Sequence, residues 1–286
     1  MNSKIIAVVV TYNRLELLKK VLFALRRQTY KIEKIIVVNN SSTDGTLEWL
    51  MQNNERLEII TQENTGSSGG QYTGFKLALE YDCDAIWVMD DDVVAEIDCL
   101  ENLLKYYDNN SVLLPLRYNN NGTPYINDTL KLNMTNPFKS IWKKIISESD
   151  LKLDKIKVEG PTFEGPLFPK KVMQKAGLPE KKFFIYGDDT EYFQRILKLN
   201  ISSFIIPNAK MRRMIDPPKN MFEFNWKTFY FIRNIIAIDI LHAPFFVRLI
   251  RPFGYLLSWL SKCKNISEIK TTINAFVEGY FYKSEN

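Results

Sequence analysis

The chain has 286 residues, 45% of them hydrophobic and 25% charged, with a formal net charge of +5. That length and apolar content suit one large domain or a domain with an appendage, and they exclude a disordered or fibrous chain. Three widely spaced cysteines, Cys83, Cys99 and Cys263, form no CxxC pair, which excludes a disulfide framework and a zinc site and fits a reducing cytoplasm.

The opening apolar run is too short for a signal h-region with its cleavage site, and no run reaches the length of a membrane span. From Lys210 onward there are 12 Lys and Arg against 6 Asp and Glu, a net of +6, so the basic character is C-terminal. No nucleic-acid-binding module accompanies it, so nucleic acid is not an expected partner.

Residues 5–10 read as a fully buried strand, and Asn13 can cap a helix whose apolar positions Leu18, Val21, Leu22 and Leu25 recur at i, i+3, i+4, i+7. Residues 34–38 predict a second strand, 46–53 a helix, 57–61 a third strand, 70–81 a helix and 85–89 a fourth strand. Such alternation predicts an α/β fold: a parallel sheet with helices on its faces and ligands beyond the carboxyl ends of the strands. The loops at that rim carry Thr11 to Arg14, then Asn39 to Thr46, then Asn64 to Gly70, then the aspartates. Each loop alone is ordinary turn and cap chemistry, and their coincidence at one rim makes a site. Gly66, Gly69 and Gly70 can let backbone approach a ligand, although their spacing is neither a dinucleotide fingerprint nor a phosphate-binding loop.

The fourth strand ends in Asp90, Asp91 and Asp92. If the strand persists to Asp92, Asp90 and Asp92 share a face while Asp91 points away. Two carboxylates so placed repel unless a cation lies between them, and Mg2+ or Mn2+ in that position also binds a diphosphate. The competing reading is an acidic helix start ahead of a helix over 97–107.

Residues 109–153 have weak periodicity apart from 112–116 and read as a variable loop region. Order returns at Phe163 to Phe168, a short helix over 171–176 follows, and a second apolar run ends in Asp188 and Asp189. There Asp189 can open a helix over 190–199. The only histidine, His242, reads as a packed helix-end residue. The tail past Asn220, with aromatic residues from Phe222 on, interleaves them with Lys227, Arg233, Arg248, Arg251 and Lys262. Such helices pack on the domain before them, pair two copies, or rest on an anionic membrane.

In order, Val-Val-Thr-Tyr-Asn-Arg, Val-Asn-Asn-Ser-Ser-Thr-Asp-Gly-Thr, Gly-Ser-Ser-Gly-Gly, Asp-x-Asp and a later acid pair resemble the nucleotide-sugar glycosyltransferases of family 2, over residues 5–234. With Asp-Asp-Thr-Glu-Tyr and Phe-Tyr-Phe-Ile-Arg-Asn, the chain most resembles bacterial galactofuranosyl- and rhamnosyltransferases of surface polysaccharides. The resemblance implies a GT-A fold, a Rossmann-like and mostly parallel sheet with helices on both faces, plus a C-terminal helical extension. It divides the chain into a catalytic domain at 1–219, with a donor half at 1–108 and an acceptor half at 109–219, and an extension at 220–286.

The implied enzyme is an inverting transferase that moves a sugar from UDP-galactofuranose, or from dTDP-rhamnose or a UDP-pyranose, to a growing cell-surface glycan. Its acceptor is lipid-linked, and the enzyme works in the cytoplasm or at the inner face of the bacterial plasma membrane, through 220–286, as a monomer or homo-oligomer. Thr11, Asn13, Arg14, Asn39, Ser41, Gly69, Gly70 and Asp90 to Asp92 are implied at the donor, Asp91 among them. Asp90 and Asp92 hold Mn2+ or Mg2+, and Asp189, beside Asp188, is the catalytic base. Glu164, Gly165 and Glu191 are implied at the acceptor. A metal-binding histidine common in relatives is missing after the acid pair, and Arg212 or Arg213 brings charge to the diphosphate instead. The rivals are a non-catalytic binding protein of the same fold and a sugar nucleotidyltransferase. The latter needs a Gly-rich basic loop after the first strand that this chain lacks.

Overall fold

A computed structural model describes residues 3–127, 129–215 and 223–284. The expected 219/220 boundary and Phe222 lie outside the described residues. In chain order the structure has β1 (Ile5–Thr11), α1 (Leu15–Arg26), β2 (Lys34–Asn39), α2 (Thr46–Gln52), β3 (Leu57–Thr61), α3 (Gly66–Glu80) and β4 (Ala85–Asp90). Next come β5 (Val93–Ala95), α4 (Cys99–Leu104), β6 (Val112–Tyr118), β7 (Thr129–Leu132), β8 (Trp142–Ile145), β9 (Ile156–Val158) and β10 (Leu167–Pro169). The chain continues with α5 (Lys170–Ala176), α6 (Asp188–Lys198), β11 (Ser203–Arg213), α7 (Thr228–His242), α8 (Phe245–Leu260) and α9 (Ile266–Tyr280).

The main sheet runs β3-β2-β1-β4-β10-β6-β11-β5, with β9 also on β11. The pairs among β1 to β4 are parallel, as is β6 with β11, while β10, β5 and β9 run antiparallel to their neighbours. Every residue of β1 is buried because both sheet faces are covered. Ile6, Val8 and Val10 join a cluster with α3, α5 and α6, and Ile5, Ala7 and Val9 join one with α1, α2 and α4. The expected stripe of α1 is the buried one, and each of Leu18, Val21, Leu22 and Leu25 contributes roughly 1.5–3 kcal/mol of transfer free energy. Register places the site: Thr11 lies opposite Asn39, Asn39 opposite Thr61 and Val10 opposite Asp90, so the strand ends finish level.

Several expected elements differ. The apolar run at 112–116 lies in β6, and the rest of 109–153 carries β7 and β8 rather than one long loop. β8 is exposed along its length, so it shows no inside-outside alternation for a periodicity to report. The helix expected over 97–107 is confined to Cys99–Leu104. Asn13 does not cap α1; the Leu15 amide donates to Asp44 Oδ2 at 2.9 Å across the loop after β2.

Helix α3 begins at Gly66 rather than Gly70, and Gly70 and Gly74 serve packing against β1. A Cβ on Gly70 would lie 2.3 Å from Val10 Cγ1, and one on Gly74 2.4 Å from Val8 Cγ1. These glycines let the helix lie close enough to the sheet to bury Phe75 and Ala78. Gly74→Ala, although alanine is the better helix former, should therefore lower stability by about 1–3 kcal/mol in urea unfolding. An unchanged midpoint would show that the contact relaxes freely.

Candidate active site

The aspartates are placed by the end of β4. The strand stops at Asp90, and residues 91 and 92 turn into β5. That turn corrects the expected geometry, because Asp91 swings inward instead of away. It is almost fully buried and accepts from Thr11 Oγ1 at 2.7 Å, the Tyr12 amide at 3.4 Å and Arg14 Nη1 at 3.0 Å. The same Arg14 nitrogen donates to Asp92 Oδ2 at 2.8 Å. Burial pushes the Asp91 carboxyl up to about 6 against the pull of Arg14 and Thr11. Burial also disfavours the guanidinium, but Asp91 and Asp92 outweigh it and hold Arg14 charged above its ordinary range.

Among the described residues Asp90 makes no ion pair. Burial and then Asp92, Glu164, Asp91 and Asp188 push it well above the usual carboxylate range. Its Oδ1 accepts from Gln71 Nε2 at 3.3 Å, and Gln71 Oε1 is buried without a hydrogen-bond partner among the described residues. Glu164, just before β10, accepts from Arg117 Nη1 and lies 3.4 Å from Arg213 Nε. The two guanidinium carbons flank the Tyr125 ring at 4.6 and 4.5 Å from its centroid.

The second acid pair opens α6. Asp189 Oδ1 accepts from the Thr190 amide at 2.6 Å. Burial and the neighbouring Asp188 push Asp189 up to about 7, and burial pushes Asp188 up to about 6. The preceding turn holds Phe184, Tyr186 and Gly187 at φ of 64°, 66° and 81°. Left-handed backbone at two aromatic residues is strained and needs outside support. Helix α7 supplies it: Asn234 Nδ2 donates to the carbonyls of Phe183, Ile185 and Tyr186 at 2.9, 3.0 and 2.6 Å. Arg233 Nη2 donates to those of Lys182 and Phe183. The Phe-Tyr-Phe-Ile-Arg-Asn motif thus clamps the turn that presents the acid pair.

One cavity of about 590 Å³ brings these groups together, lined by Thr11, Arg14, Asp90 to Asp92, Glu164, Asp188 and Asp189. Trp142, Phe184, Tyr186, Trp226 and Phe231 form an aromatic wall, with Trp142 stacked on Phe231 at 6.0 Å and Phe184 meeting Trp226 edge-on at 6.4 Å.

Other expected site residues stand elsewhere. Asn39 is fully buried, its Oδ1 accepting the Ser42 amide at 3.0 Å, and the next residue, Asn40, reaches the cavity. Asn13 ties two loops by accepting the Thr43 amide at 2.7 Å, and Ser41 Oγ donates to the Gln62 carbonyl at 2.7 Å. Gly69 and Gly70 are consumed by packing inside α3, and Gly165 by the sheet, where its amide donates to the Val88 carbonyl at 2.9 Å. Glu191 is buried away from the cavity, ion-paired with Arg195 at 2.8 Å and in hydrogen-bond contact with His242 Nε2 at 2.8 Å. His242 is thus a packed helix-end residue, as its apolar neighbours suggest. Strand alternation sends Arg212 to a groove on the opposite face, beside Lys19, Lys20 and Phe23. Arg213 stands behind Glu164. Sequence reasoning missed Gln71, Arg117, Trp142 and Trp226. Arg117 carried a signal, since it closes an apolar run as Asp90 does.

An all-oxygen set of Asp90, Asp92 and the unpartnered Gln71 Oε1 fits a hard divalent cation. Among the described residues no three His, Cys, Asp or Glu side chains are grouped to hold an ion by themselves. Much of the shell would therefore come from ligand and water.

Comparison with known proteins agrees with this arrangement. The family model described as glycosyl transferase family 2 matches residues 6–176, more than half of the chain. Galactofuranosyltransferase GlfT1 of Mycolicibacterium smegmatis is 29% identical over 203 residues, 67% of this chain and 65% of that protein. The dTDP-rhamnosyl transferase RfbF of Shigella flexneri is 29% identical over 222 residues, 74% of this chain and 69% of that protein. This chain thus matches just under two thirds of the length of its GlfT1 relatives, at 65% and 66%. Among solved structures, GalNAc-T7 with UDP, GalNAc and Mn2+ superposes with a TM-score of 0.66 at 11% identity, covering 97% of this chain and 56% of that one. S. aureus TarS 1-349 in complex with UDP-GlcNAc gives 0.63 at 16% identity, covering 97% and 81%. These likenesses show a shared GT-A fold.

The crowded carboxyls make the ligand-free site a stability cost at neutral pH. Unfolded, an aspartate loses its proton near 3.8, whereas in the folded protein Asp188 and Asp189 keep theirs to about 6 and 7. The folded state holds more protons across that window, so these groups lower stability as pH rises through it. Asp90→Asn should raise the ligand-free melting midpoint at pH 7.5 by roughly 2 °C or more, with no gain below pH 4. A lower midpoint at pH 7.5 would contradict the crowding.

Proposed function

The chain belongs to glycosyl transferase family 2 and is a glycosyltransferase of GT-A fold, and from that premise we propose that it moves one sugar, with inversion, from a nucleotide-diphosphate donor to a hydroxyl of a growing glycan. The observation that carries the reading is the single cavity in which Asp189, pushed up to about 7, shares space with Asp90, Asp92 and Arg14. In this reading the donor lies at the strand ends over Asp90 to Asp92. The acceptor enters along the aromatic wall, where Trp142 and Trp226 offer flat apolar faces to the CH-rich faces of sugar rings. Residues 1–108 then serve the donor and 109–219 the acceptor.

The chemistry is one displacement. The acceptor oxygen bonds to the anomeric carbon, the bond from that carbon to the diphosphate breaks, and the hydroxyl proton passes to the Asp189 carboxylate. Attack from the side opposite the leaving group inverts the centre. Arg14 brings positive charge near the diphosphate, and Arg117 and Arg213 hold the Glu164 carboxylate in place. Mn2+ or Mg2+ held by Asp90 and Asp92 would neutralise charge on the departing diphosphate. GalNAc-T7, a neighbour in fold, was solved with Mn2+.

The likeness to GlfT1 favours UDP-galactofuranose as donor, and that to RfbF makes dTDP-rhamnose the second candidate. The acceptor in this reading is lipid-linked and met at the inner face of the plasma membrane, with residues 220–286 as the contact.

Asp189→Asn should lower transfer by about 10²–10⁴-fold while donor binding, followed by calorimetry, is retained. Equal turnover by the variant would remove Asp189 as the base, and donor binding without turnover by either protein would favour a non-catalytic member of the fold. Because the base works only once deprotonated, transfer at subsaturating acceptor should climb as pH rises through about 7. A profile flat between pH 5 and 8 would remove Asp189 from that role. In a panel of nucleotide sugars, hydrolysis or binding should be strongest with UDP-galactofuranose, and recognition of none would overturn the reading as a whole.

A further inference from the structure

Helix α8 carries apolar groups on both its faces, burying Val247, Pro252 and Trp259 and exposing others to water. Its inner face buries Arg251, whose Nε donates to Asp239 Oδ2 at 2.8 Å and whose Nη1 donates to the Asn133 carbonyl at 2.5 Å. Its outer face is apolar, with Phe245 70% exposed, Phe246 69% and Leu257 67%. Leu249 and Phe253 are exposed along the same helix. Helix α9 continues the surface through Ile266, Ile269, Ile273 and Val277, all exposed. The helices join through Phe253, whose ring lies 5.2 Å from Phe276 and 5.7 Å from Tyr280. A lone exposed phenylalanine is unremarkable, but two adjacent helices lined with apolar groups in water form a surface that something else covers.

Charge decides what covers it. From Ile240 to Ser267 the chain has no Asp or Glu but carries Arg248, Arg251, Lys262 and Lys264. Arg248, Lys262 and Lys264 are exposed, and α9 contributes Lys270 together with Glu268 and Glu278, so the basic excess comes from α8 and the turn after it. A second copy of the chain, docked isologously, would set this basic excess against itself. An anionic bilayer complements both features at once, taking the phenylalanines into its headgroup boundary and the lysines against its phosphates. Among the described residues no helix is long and apolar enough to cross a membrane, so the contact is a lying-on rather than a spanning one. We infer that the outer face of α8 and α9 is the seat of an anionic lipid surface.

The placement deepens the proposed function, because α7 packs against α8 and α9 and also lines the catalytic cavity with Phe231, Asn234, Ile235 and Ile238. Two helix layers, α8 with α9 and then α7, therefore lie between the lipid-facing surface and the place where a lipid-linked acceptor would react. The lipid contact rests on that reading only for its purpose; its test does not require turnover.

The full chain is floated with vesicles of equal parts phosphatidylglycerol and phosphatidylcholine, and with phosphatidylcholine alone. Binding should be confined to the anionic vesicles and should weaken with added salt. Lys262→Gln with Lys264→Gln should lower the partition coefficient roughly 30-fold. Phe246→Asp with Leu257→Asp should lower the bound fraction about tenfold or more, with an unchanged circular dichroism melt, since both side chains lie outside the core. Failure of the unsubstituted chain to float, equal flotation with both vesicle types, or a dimer in sedimentation that Phe246→Asp with Leu257→Asp dissolves would each overturn the inference. Flotation without transfer from any nucleotide sugar would instead fault the proposed reaction and leave the lipid contact standing.

Discussion

The site turns on one guanidinium placed among carboxylates. Arg14 bridges Asp91 and Asp92 from the N-cap position of α1, and through Asp91 it is joined to Thr11 at the end of β1. This bridge locks the loop after the first strand to the turn after the fourth, two segments far apart in sequence that the parallel register sets side by side. With Arg14 committed there, Asp90 is left with burial and four acidic neighbours raising its proton affinity. A cavity arranged in this way is short of positive charge, which is the condition under which a divalent ion and a diphosphate bind together.

A second dependence runs through the C-terminal helices. The acid pair on α6 is reached through a turn with left-handed φ at Phe184 and Tyr186, a conformation bulky side chains do not hold unaided. Asn234 and Arg233 on α7 hold it by donating to its carbonyls. Helix α7 is in turn backed by α9 and α8 through a core containing Ile232, Ile236, Trp259 and Ala275. The helices after residue 227 are thus structural partners of the cavity, with α8 and α9 one layer behind it.

Local chemistry was a good guide wherever one residue's role followed from its immediate neighbours. The apolar runs of β1 and β2 and the stripe of α1 appear where their periodicity puts them, because a strand covered on both faces and a helix covered on one leave those patterns in the chain. Local chemistry misled where a residue type suited two jobs. Gly69 and Gly70 could have admitted a ligand, yet the Cβ space of Gly70 is filled by Val10 and that of Gly69 by Thr65. Asn39 was implied at the donor, but at the last position of β2 its side chain is spent on Ser42, and the buried Asn40 lines the cavity instead. Arg212 and Arg213 were interchangeable on paper, and the two-residue period of β11 sent one to each face.

The sequence by itself determined the class of fold, the family and the two acidic clusters that matter, because strand-helix alternation and ordered motifs are local properties of the chain. Tertiary structure alone decided which acids share a cavity, that Asp91 turns inward to Arg14 while Glu191 is retired into contacts with Arg195 and His242, and that Arg117, Gln71 and two tryptophans line the same space. It also decided that α8 buries Arg251 beside Val247 and Trp259 and leaves its phenylalanines exposed. The reason is the same in each case. Proton affinity, ion pairing and exposure depend on groups brought close from distant parts of the chain, and those distances are set by register and packing rather than by spacing along the sequence.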